Sequence, residues 1–355
     1  MMNISKAVRN VFAHEDLNFL VTNRIPRLAV THFMGWFSKI KVGWVRDASI
    51  GTWKLFTDLD LSEAKKQHFD SLHDCFIREL HEGARVVDQD PEVMTSPCDA
   101  IVGACGKIIN GQVFQAKGFP YTLTDLFGQH TDTSAWTDGQ YVTLRLTSAM
   151  YHRFHAPYTG AMKAVHYLSG DTWNVNPIAL KRVEKLFCKN ERAVLELELG
   201  SQKHRVALVP VAAILVASIR LHGLNTLFHT RYKGQTDFAC NVAFEKGQEL
   251  GWFEHGSTII VFAPNGFTLA DQILPGAHIK MGSPLMQLPA EPQNRQGLEG
   301  ASDKQRSQAL AGLNDQQSNP PLKGVSDKEN SQAPDRALNL QAIKIANDDT
   351  KASAS

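Results

Sequence analysis

The chain has 355 residues, 43% of them hydrophobic, and a formal net charge of +1. That length and composition can bury one large core or two smaller ones, and the near-zero charge excludes a nucleic-acid partner held by a strong positive field. The five cysteines fit neither a zinc module nor a disulfide framework, so we expect a reducing compartment and no metal site. They are Cys75, Cys98, Cys105, Cys188 and Cys240.

Helical signals fill the first eighty or so residues. Between Leu17 and Val45, apolar and aromatic residues alternate with arginines and lysines. This pattern is typical of a helix lying in a membrane interface, although an ordinary amphipathic helix covering a core remains the alternative. Asp60 to Glu63 resembles a second helix start, followed by apolar residues at helical spacing. We therefore predict a helical, membrane-associating region over residues 1–85.

Short β-branched runs bounded by Gly, Pro or Asn dominate the next part of the chain. Together with the helices they predict an α+β protein, with a mostly antiparallel, sandwich-like or barrel-like body over residues 86–288. The predicted strands are Val93–Ile109, Val113–Ala116, Gln140–Leu146, Ala161–Leu168, Ala193–Leu199, His204–Ile219 and Ser257–Phe262.

Two negative expectations concern membranes and the end of the chain. The start of the sequence lacks the apolar core of a secretory signal, and the longest uncharged apolar run, Val206–Ile219, is too short to span a bilayer. From residue 290 onward there is no Phe, Tyr, Trp or Cys, so residues 289–355 lack the apolar material to offset ordering entropy. We expect this tail to be disordered.

The tetrapeptide from His255 to Thr258 has a glycine followed by a serine, Gly256 and Ser257. A serine hydroxyl can attack the carbonyl carbon of the residue before it, and glycine places no Cβ in the way of that attack. Taken alone the motif is weak, because a turn leading into the strand that follows is the commoner explanation of these residues.

Several other blocks occur in order with this tetrapeptide, and together they resemble the phosphatidylserine decarboxylase proenzymes, a family of pyruvoyl-dependent lyases. The resemblance runs from about Phe69 to Met286. Its blocks are Ser96-Pro97-Cys98-Asp99, Gly106-Lys107-Ile108, Gln115-Ala116-Lys117-Gly118, Tyr151-His152-Arg153-Phe154-His155-Ala156-Pro157, Asn174-Val175-Asn176-Pro177, Asn190-Glu191-Arg192, and Lys246 through Thr258.

The resemblance implies that the chain cuts itself between Gly256 and Ser257. It also implies that Ser257 becomes a pyruvoyl group, the only cofactor we expect, which decarboxylates phosphatidylserine to phosphatidylethanolamine and CO2 through a Schiff base. Residues 1–256 would form one chain of the mature enzyme and residues 257–355 the other. The family leads us to expect a peripheral protein on the cytoplasmic side of the cell membrane, able to form a homodimer.

Site roles are carried over from the family residue by residue. His155 matches the base toward Ser257, Asp99 matches the carboxylate that orients this imidazole, and His152 is the looser match to the proton donor. Without the resemblance, Asp99 would be an ordinary turn aspartate and His155 a structural histidine. Arg153 would attract the substrate's phosphate or carboxylate, or else form a surface ion pair.

One departure and two rival functions remain. His255 stands where relatives often have leucine, which adds a titratable group beside the predicted cut. A serine hydrolase using Asp99, His155 and Ser257 without chain cleavage is the first rival, although the usual G-x-S-x-G turn is absent around Ser257. The second rival is a lipid-binding protein without enzymatic activity.

Overall fold

The computed structural model describes residues 15–115, 119–129, 131–215, 218–254 and 257–290. Within them the chain is α+β with mostly antiparallel sheets, as the sequence predicted, and the sheets are open rather than closed into a barrel. The predicted tail falls almost entirely outside the described residues.

The helices near the start of the described chain are short. They are α1 (Glu15–Asn23), α2 (Arg27–Phe37), α3 (Gly43–Phe56) and α4 (Leu72–Phe76). The single interfacial helix expected between Leu17 and Val45 is therefore three helices, because Pro26 precedes α2 and a second break precedes Gly43. Among the described residues, none of the helices has the length and apolar character needed to cross a bilayer.

The helix start predicted at Asp60 was wrong. The Asp60 carboxylate accepts a hydrogen bond from the backbone N–H of Ser62 at 2.8 Å, which closes a local turn. Helix α4 begins later, after Ser71, whose hydroxyl accepts the backbone N–H of Asp74 as an N-cap. The remaining helices are α5 (Leu123–Phe127), a 3-10 turn (Ser134–Trp136), α6 (Pro177–Arg182) and α7 (Leu186–Lys189).

Seventeen strands follow α4 in the described part of the chain. They are β1 (Val93–Thr95), β2 (Ala100–Lys107), β3 (Gln112–Phe114), β4 (Pro120–Thr122), β5 (Gln140–Leu146), β6 (Arg153–His155), β7 (Gly160–Leu168), β8 (Arg192–Leu199), β9 (His204–Ala212), β10 (Ser218–Leu221), β11 (Thr226–His229), β12 (Asp237–Phe244), β13 (Glu249–Phe253), β14 (Ser257–Ala263), β15 (Thr268–Leu269), β16 (His278–Ile279) and β17 (Pro284–Gln287).

An eight-stranded sheet forms the centre of the fold, in the order β12-β7-β8-β9-β14-β5-β2-β16. A four-stranded sheet has the order β11-β10-β13-β6, and two smaller sheets pair β1-β17-β15 and β3-β4. Strand β14, which begins at Ser257, pairs along its length with β5 on one side and β9 on the other. The residue of greatest chemical interest therefore lies at the end of an interior strand.

Two apolar cores cover the two faces of the eight-stranded sheet. On one face, Leu144 and Ile259 pack with Phe154 and Phe253 of the four-stranded sheet. On the other face, alternate residues of the same strands pack with residues of α5, α6 and α7. We call these the sandwich face and the helical face of the sheet.

Candidate active site

Ser257 is the first residue of β14 and is fully buried. Its backbone lies opposite Leu146 of β5 and Ala212 of β9. The Oγ atom has no hydrogen-bond partner among the residues that the structure describes. A buried hydroxyl without a partner is energetically costly, which is typical of a group kept for chemistry rather than for stability. The preceding His255 and Gly256 lie outside the described residues.

His152 lies directly before β6 and is also fully buried. Its backbone carbonyl accepts the N–H of Phe253, the last residue of β13, at 3.0 Å. The Nδ1 atom lies 2.8 Å from the carbonyl oxygen of Met150, and since a carbonyl only accepts, the proton is on Nδ1. The ring packs against Phe76, with 4.0 Å between the ring centroids. These contacts fix both the orientation and the tautomer of the imidazole.

His155 ends β6 and makes a hydrogen bond through each ring nitrogen. Nδ1 donates to the carbonyl oxygen of Gly247 at 2.9 Å, so in the neutral ring Nε2 accepts the hydroxyl of Tyr151 at 3.0 Å. Burial lowers the pKa of His155 below its ordinary value of 6.5, and the hydrogen bond to Gly247 and the charge of Glu249 only partly oppose this. The imidazole is therefore neutral near pH 7, which is the form of a base.

Asp99 lies just before β2, with a side chain that is almost completely buried. Arg85 donates to both carboxylate oxygens, at 2.8 and 2.5 Å, and the backbone N–H of Met281 donates at 2.9 Å. The same guanidinium also contacts Glu63 at 2.7 Å. Burial lowers the pKa of Arg85, but Asp99 and Glu63 together outweigh that effect and raise the pKa far above its ordinary value, so this is a firmly charged, bidentate ion pair.

The structure brings Asp99 and His155 close together through the backbone. The N–H of His155 donates to the carbonyl oxygen of Pro97 at 2.8 Å, two residues before Asp99. Yet within the described residues no hydrogen bond joins the carboxylate to the imidazole, because Asp99 is bound to Arg85 and His155 to Gly247 and Tyr151. The roles assigned to Asp99, His155 and Ser257 therefore stay predictions.

Arg153 forms an ion pair, as the sequence allowed, but the pair is largely buried rather than on the surface. Its guanidinium contacts the carboxylate of Glu249 at 2.8 Å and donates to the carbonyl oxygen of Ile77. These contacts connect β6 to β13 and to the segment after α4. Arg153 is thus a link between elements in this arrangement.

Three residues near the site were not singled out in the sequence. Arg85 belongs to no recognised block, and only the need of a buried carboxylate for a cation could have indicated it. Tyr151 lies in one of the recognised blocks, but the sequence assigned it no role. Glu254 is buried and accepts the hydroxyl of Ser218 at 3.1 Å, while Lys39 and His73 approach it at 3.4 and 3.7 Å. Glu254 thereby connects the end of β13 to the helical segment, the part of the chain that contains α1 to α4.

The chain is similar in sequence to known proteins over most of its length. The sequence profile described as phosphatidylserine decarboxylase matches residues 72–287. A phosphatidylserine decarboxylase proenzyme from Aliivibrio salmonicida is 32% identical over 280 residues, which covers 74% of this chain and 95% of the relative. Proteins of the same name from Haemophilus influenzae and Escherichia coli O9:H4 are 33% and 31% identical, covering 73% and 74% of this chain and 91% and 84% of their own.

A buried serine that opens an interior strand, with buried histidines on a neighbouring sheet, thus occurs in a chain that matches carboxy-lyases over most of its length. The protein is an enzyme of that class. It belongs to the phosphatidylserine decarboxylase family.

Proposed function

We propose that this chain cleaves itself between Gly256 and Ser257, converts Ser257 into a pyruvoyl group, and then decarboxylates phosphatidylserine to phosphatidylethanolamine. The observation that carries the proposal is the buried hydroxyl of Ser257 at the start of β14, which has no hydrogen-bond partner in the described part of the chain. The names of the relatives support it, because each of them is called a proenzyme.

The cleavage consists of three covalent changes. The Ser257 Oγ forms a bond to the carbonyl carbon of Gly256, and the amide C–N bond breaks, which leaves an ester. Elimination then removes residues 1–256 as a carboxylate and leaves dehydroalanine at position 257. Water hydrolyses its imine tautomer to the ketone and releases ammonia. No external oxidant or reductant is required, because elimination of the side-chain oxygen from Ser257 already brings this residue to the oxidation level of the ketone.

Residue 257 is suited to carry such a group. The β14 backbone is held on both sides by β5 and β9, so the new chain terminus would stay in place after the cut. Burial of the position excludes bulk water from a reactive ketone. The pyruvoyl ketone would supply the electron sink for loss of CO2, as a pyridoxal ring does in other enzymes.

His155 has the protonation state that the proposal needs. His155 is held neutral by burial, and the Gly247 carbonyl fixes its proton on Nδ1. Nε2 is therefore the ring atom that would take the Ser257 proton, a transfer that requires it to exchange its Tyr151 hydrogen bond. Asp99 would stabilise the resulting cation. His152 is the residue we propose as proton donor to the product.

We further propose that the helical segment holds the enzyme on a membrane surface. Helices α1 to α3 expose large apolar side chains, most strongly Trp44 and Leu55, which are 77% and 70% exposed. An apolar cavity of about 450 Å³ lies between these helices and the body, with Trp53, Ser148 and Leu215 in its wall. Ser148 follows shortly after Leu146, the cross-strand neighbour of Ser257. Apolar surface and cavity together suit a lipid substrate.

The proposal is tested with Ser257→Ala and the matched control Ser201→Ala, which changes an exposed serine in a turn. Denaturing electrophoresis and release of CO2 from phosphatidylserine vesicles are measured on both. We expect Ser257→Ala to stay one chain and to release no CO2, while Ser201→Ala is cut and active. Full activity of an uncut chain would contradict the proposal.

A further inference from the structure

A second cavity, of about 510 Å³, lies on the helical face of the eight-stranded sheet between β2, β5 and α6. Much of its wall is apolar, including Phe114 and Leu180. Two cations, Arg145 and Lys181, line it, and its described lining contains no carboxylate. We call it the Arg145 cavity.

The guanidinium of Arg145 lacks the partners that the other arginines of the core have. Arg85 and Arg153 contact carboxylates, and Arg192 donates to backbone carbonyls. For Arg145, by contrast, no hydrogen bond or ion pair with any described residue occurs, although the side chain is partly buried. Burial lowers its pKa, and no acidic group opposes that effect. Its five N–H donors thus have no acceptor in the described chain.

Two hydroxyls beside Arg145 lack partners as well. Thr143 lies two residues earlier on β5, so its side chain is on the same face of the sheet, and it lines the cavity. Thr258 lies directly opposite Arg145 on β14. Both Oγ1 atoms are buried and have no hydrogen-bond partner in the described chain. One small area of the sheet therefore holds a guanidinium and two hydroxyls that all lack acceptors.

Lys181 adds a second positive charge on the opposite wall of the cavity. Its ammonium nitrogen lies 4.0 Å from the Glu15 carboxylate, the limit of an ion pair between two exposed groups. Such a pair is worth little, so the lysine is available to another anion. A tetrahedral anion has enough acceptor oxygens to satisfy the guanidinium in a bidentate manner and both hydroxyls at once.

We propose that the Arg145 cavity is a binding site for a phosphate group, held by Arg145, Thr143 and Thr258 with Lys181 as a second cation. The phosphate can be the phosphodiester of a phospholipid, with its apolar part against Phe114 and Leu180, or a free phosphate. Thr258 directly follows Ser257, but successive residues of β14 point to opposite faces of the sheet, so the occupant lies on the helical face and the Ser257 side chain on the sandwich face. Phosphate binding in this cavity does not require the chain to be cut.

The test compares Arg145→Gln with Arg145→Lys and with Arg231→Gln, which removes the same charge from an exposed position outside the cavity. Inorganic phosphate and glycerophosphoserine are titrated into each protein by calorimetry, and KM and kcat for phosphatidylserine in mixed micelles are measured. In Arg145→Gln we expect inorganic phosphate or glycerophosphoserine to bind about tenfold more weakly, or the KM for phosphatidylserine to be about tenfold higher. Arg145→Lys should lie between, and Arg231→Gln should match the wild type.

The pattern of results identifies the source of the phosphate. Weaker binding of inorganic phosphate indicates a free anion, and a raised KM with unchanged kcat indicates the lipid. Unchanged binding and unchanged KM in Arg145→Gln would overturn the proposal, even if the chain is cut normally. If Arg145→Gln does not fold, thermal unfolding of the wild type and of Arg145→Lys is compared in phosphate and in chloride at equal ionic strength. No phosphate-specific stabilisation of the wild type would then overturn it.

Discussion

The state of His155 controls the proposed maturation at the scale of single residues. Its pKa is lowered by burial, so the ring is neutral above that pKa and gains a proton only as the pH falls through it, below 6.5. We predict a rate of self-cleavage that is constant from about pH 7 to 8 and decreases steadily below about pH 6. The neutral ring also favours the folded state, so the contribution of His155 to stability is lost over the same acidic range.

The measurement is the rate of chain cleavage in freshly refolded protein at a series of pH values. His155→Gln should remove nearly all cleavage, since general-base catalysis contributes on the order of 100- to 10,000-fold. His204→Gln, a change in a histidine far along the chain at the start of β9, should keep the wild-type profile. Wild-type rates in His155→Gln would show that another group is the base.

How much of the site could be predicted differs from residue to residue. Ser257, His152, His155 and Asp99 all stand in local blocks, which is why the sequence could indicate them. The partner of Asp99 could not be found in this way, because Arg85 approaches from a segment 14 residues away with no motif of its own. Only the fold shows that the Asp99 carboxylate contacts Arg85 rather than His155.

Exposed aromatic side chains are the main feature of the helical elements. Phe33, Trp36 and Trp44 are 55%, 64% and 77% exposed, and burying each in lipid would contribute about 1.5–3 kcal/mol. We predict that changing all three to serine weakens binding to anionic liposomes at least about tenfold, as measured by sedimentation. Leu274→Ser, which removes an exposed apolar residue of the body, is the control and should bind like the wild type. Undiminished binding by the triple variant would reject a membrane role for these helices.

The strands show why some elements could be predicted and others could not. Strand β5 has the bounds that the sequence indicated, because most of its residues are β-branched, aromatic or apolar and turn residues precede it. The predicted strand Val93–Ile109 is instead β1 and β2, separated by the residues that place Asp99. The predicted run His204–Ile219 is likewise β9 and β10, which belong to different sheets. Pairing between distant strands decides such breaks, and a local pattern does not contain it.

The proposed cut divides one folded body at the scale of the whole molecule. Strand β14 would belong to the chain that begins at Ser257, whereas its neighbours β5 and β9 would belong to the other chain. All seven residues of β14 are buried, so separating the chains would expose much of both cores. We predict that the cut chains elute together from a native sizing column and separate only in denaturant. Separation in native buffer would contradict this arrangement of strands.

The most direct test of the central claim is the identity of the group at position 257 in the mature protein. Denatured wild-type protein is analysed by mass spectrometry before and after treatment with a hydroxylamine reagent that is specific for ketones. We predict two fragments, the smaller one beginning at position 257 with a terminus that has lost its amine and reacts with the reagent. A single unreactive chain that still decarboxylates phosphatidylserine would contradict it.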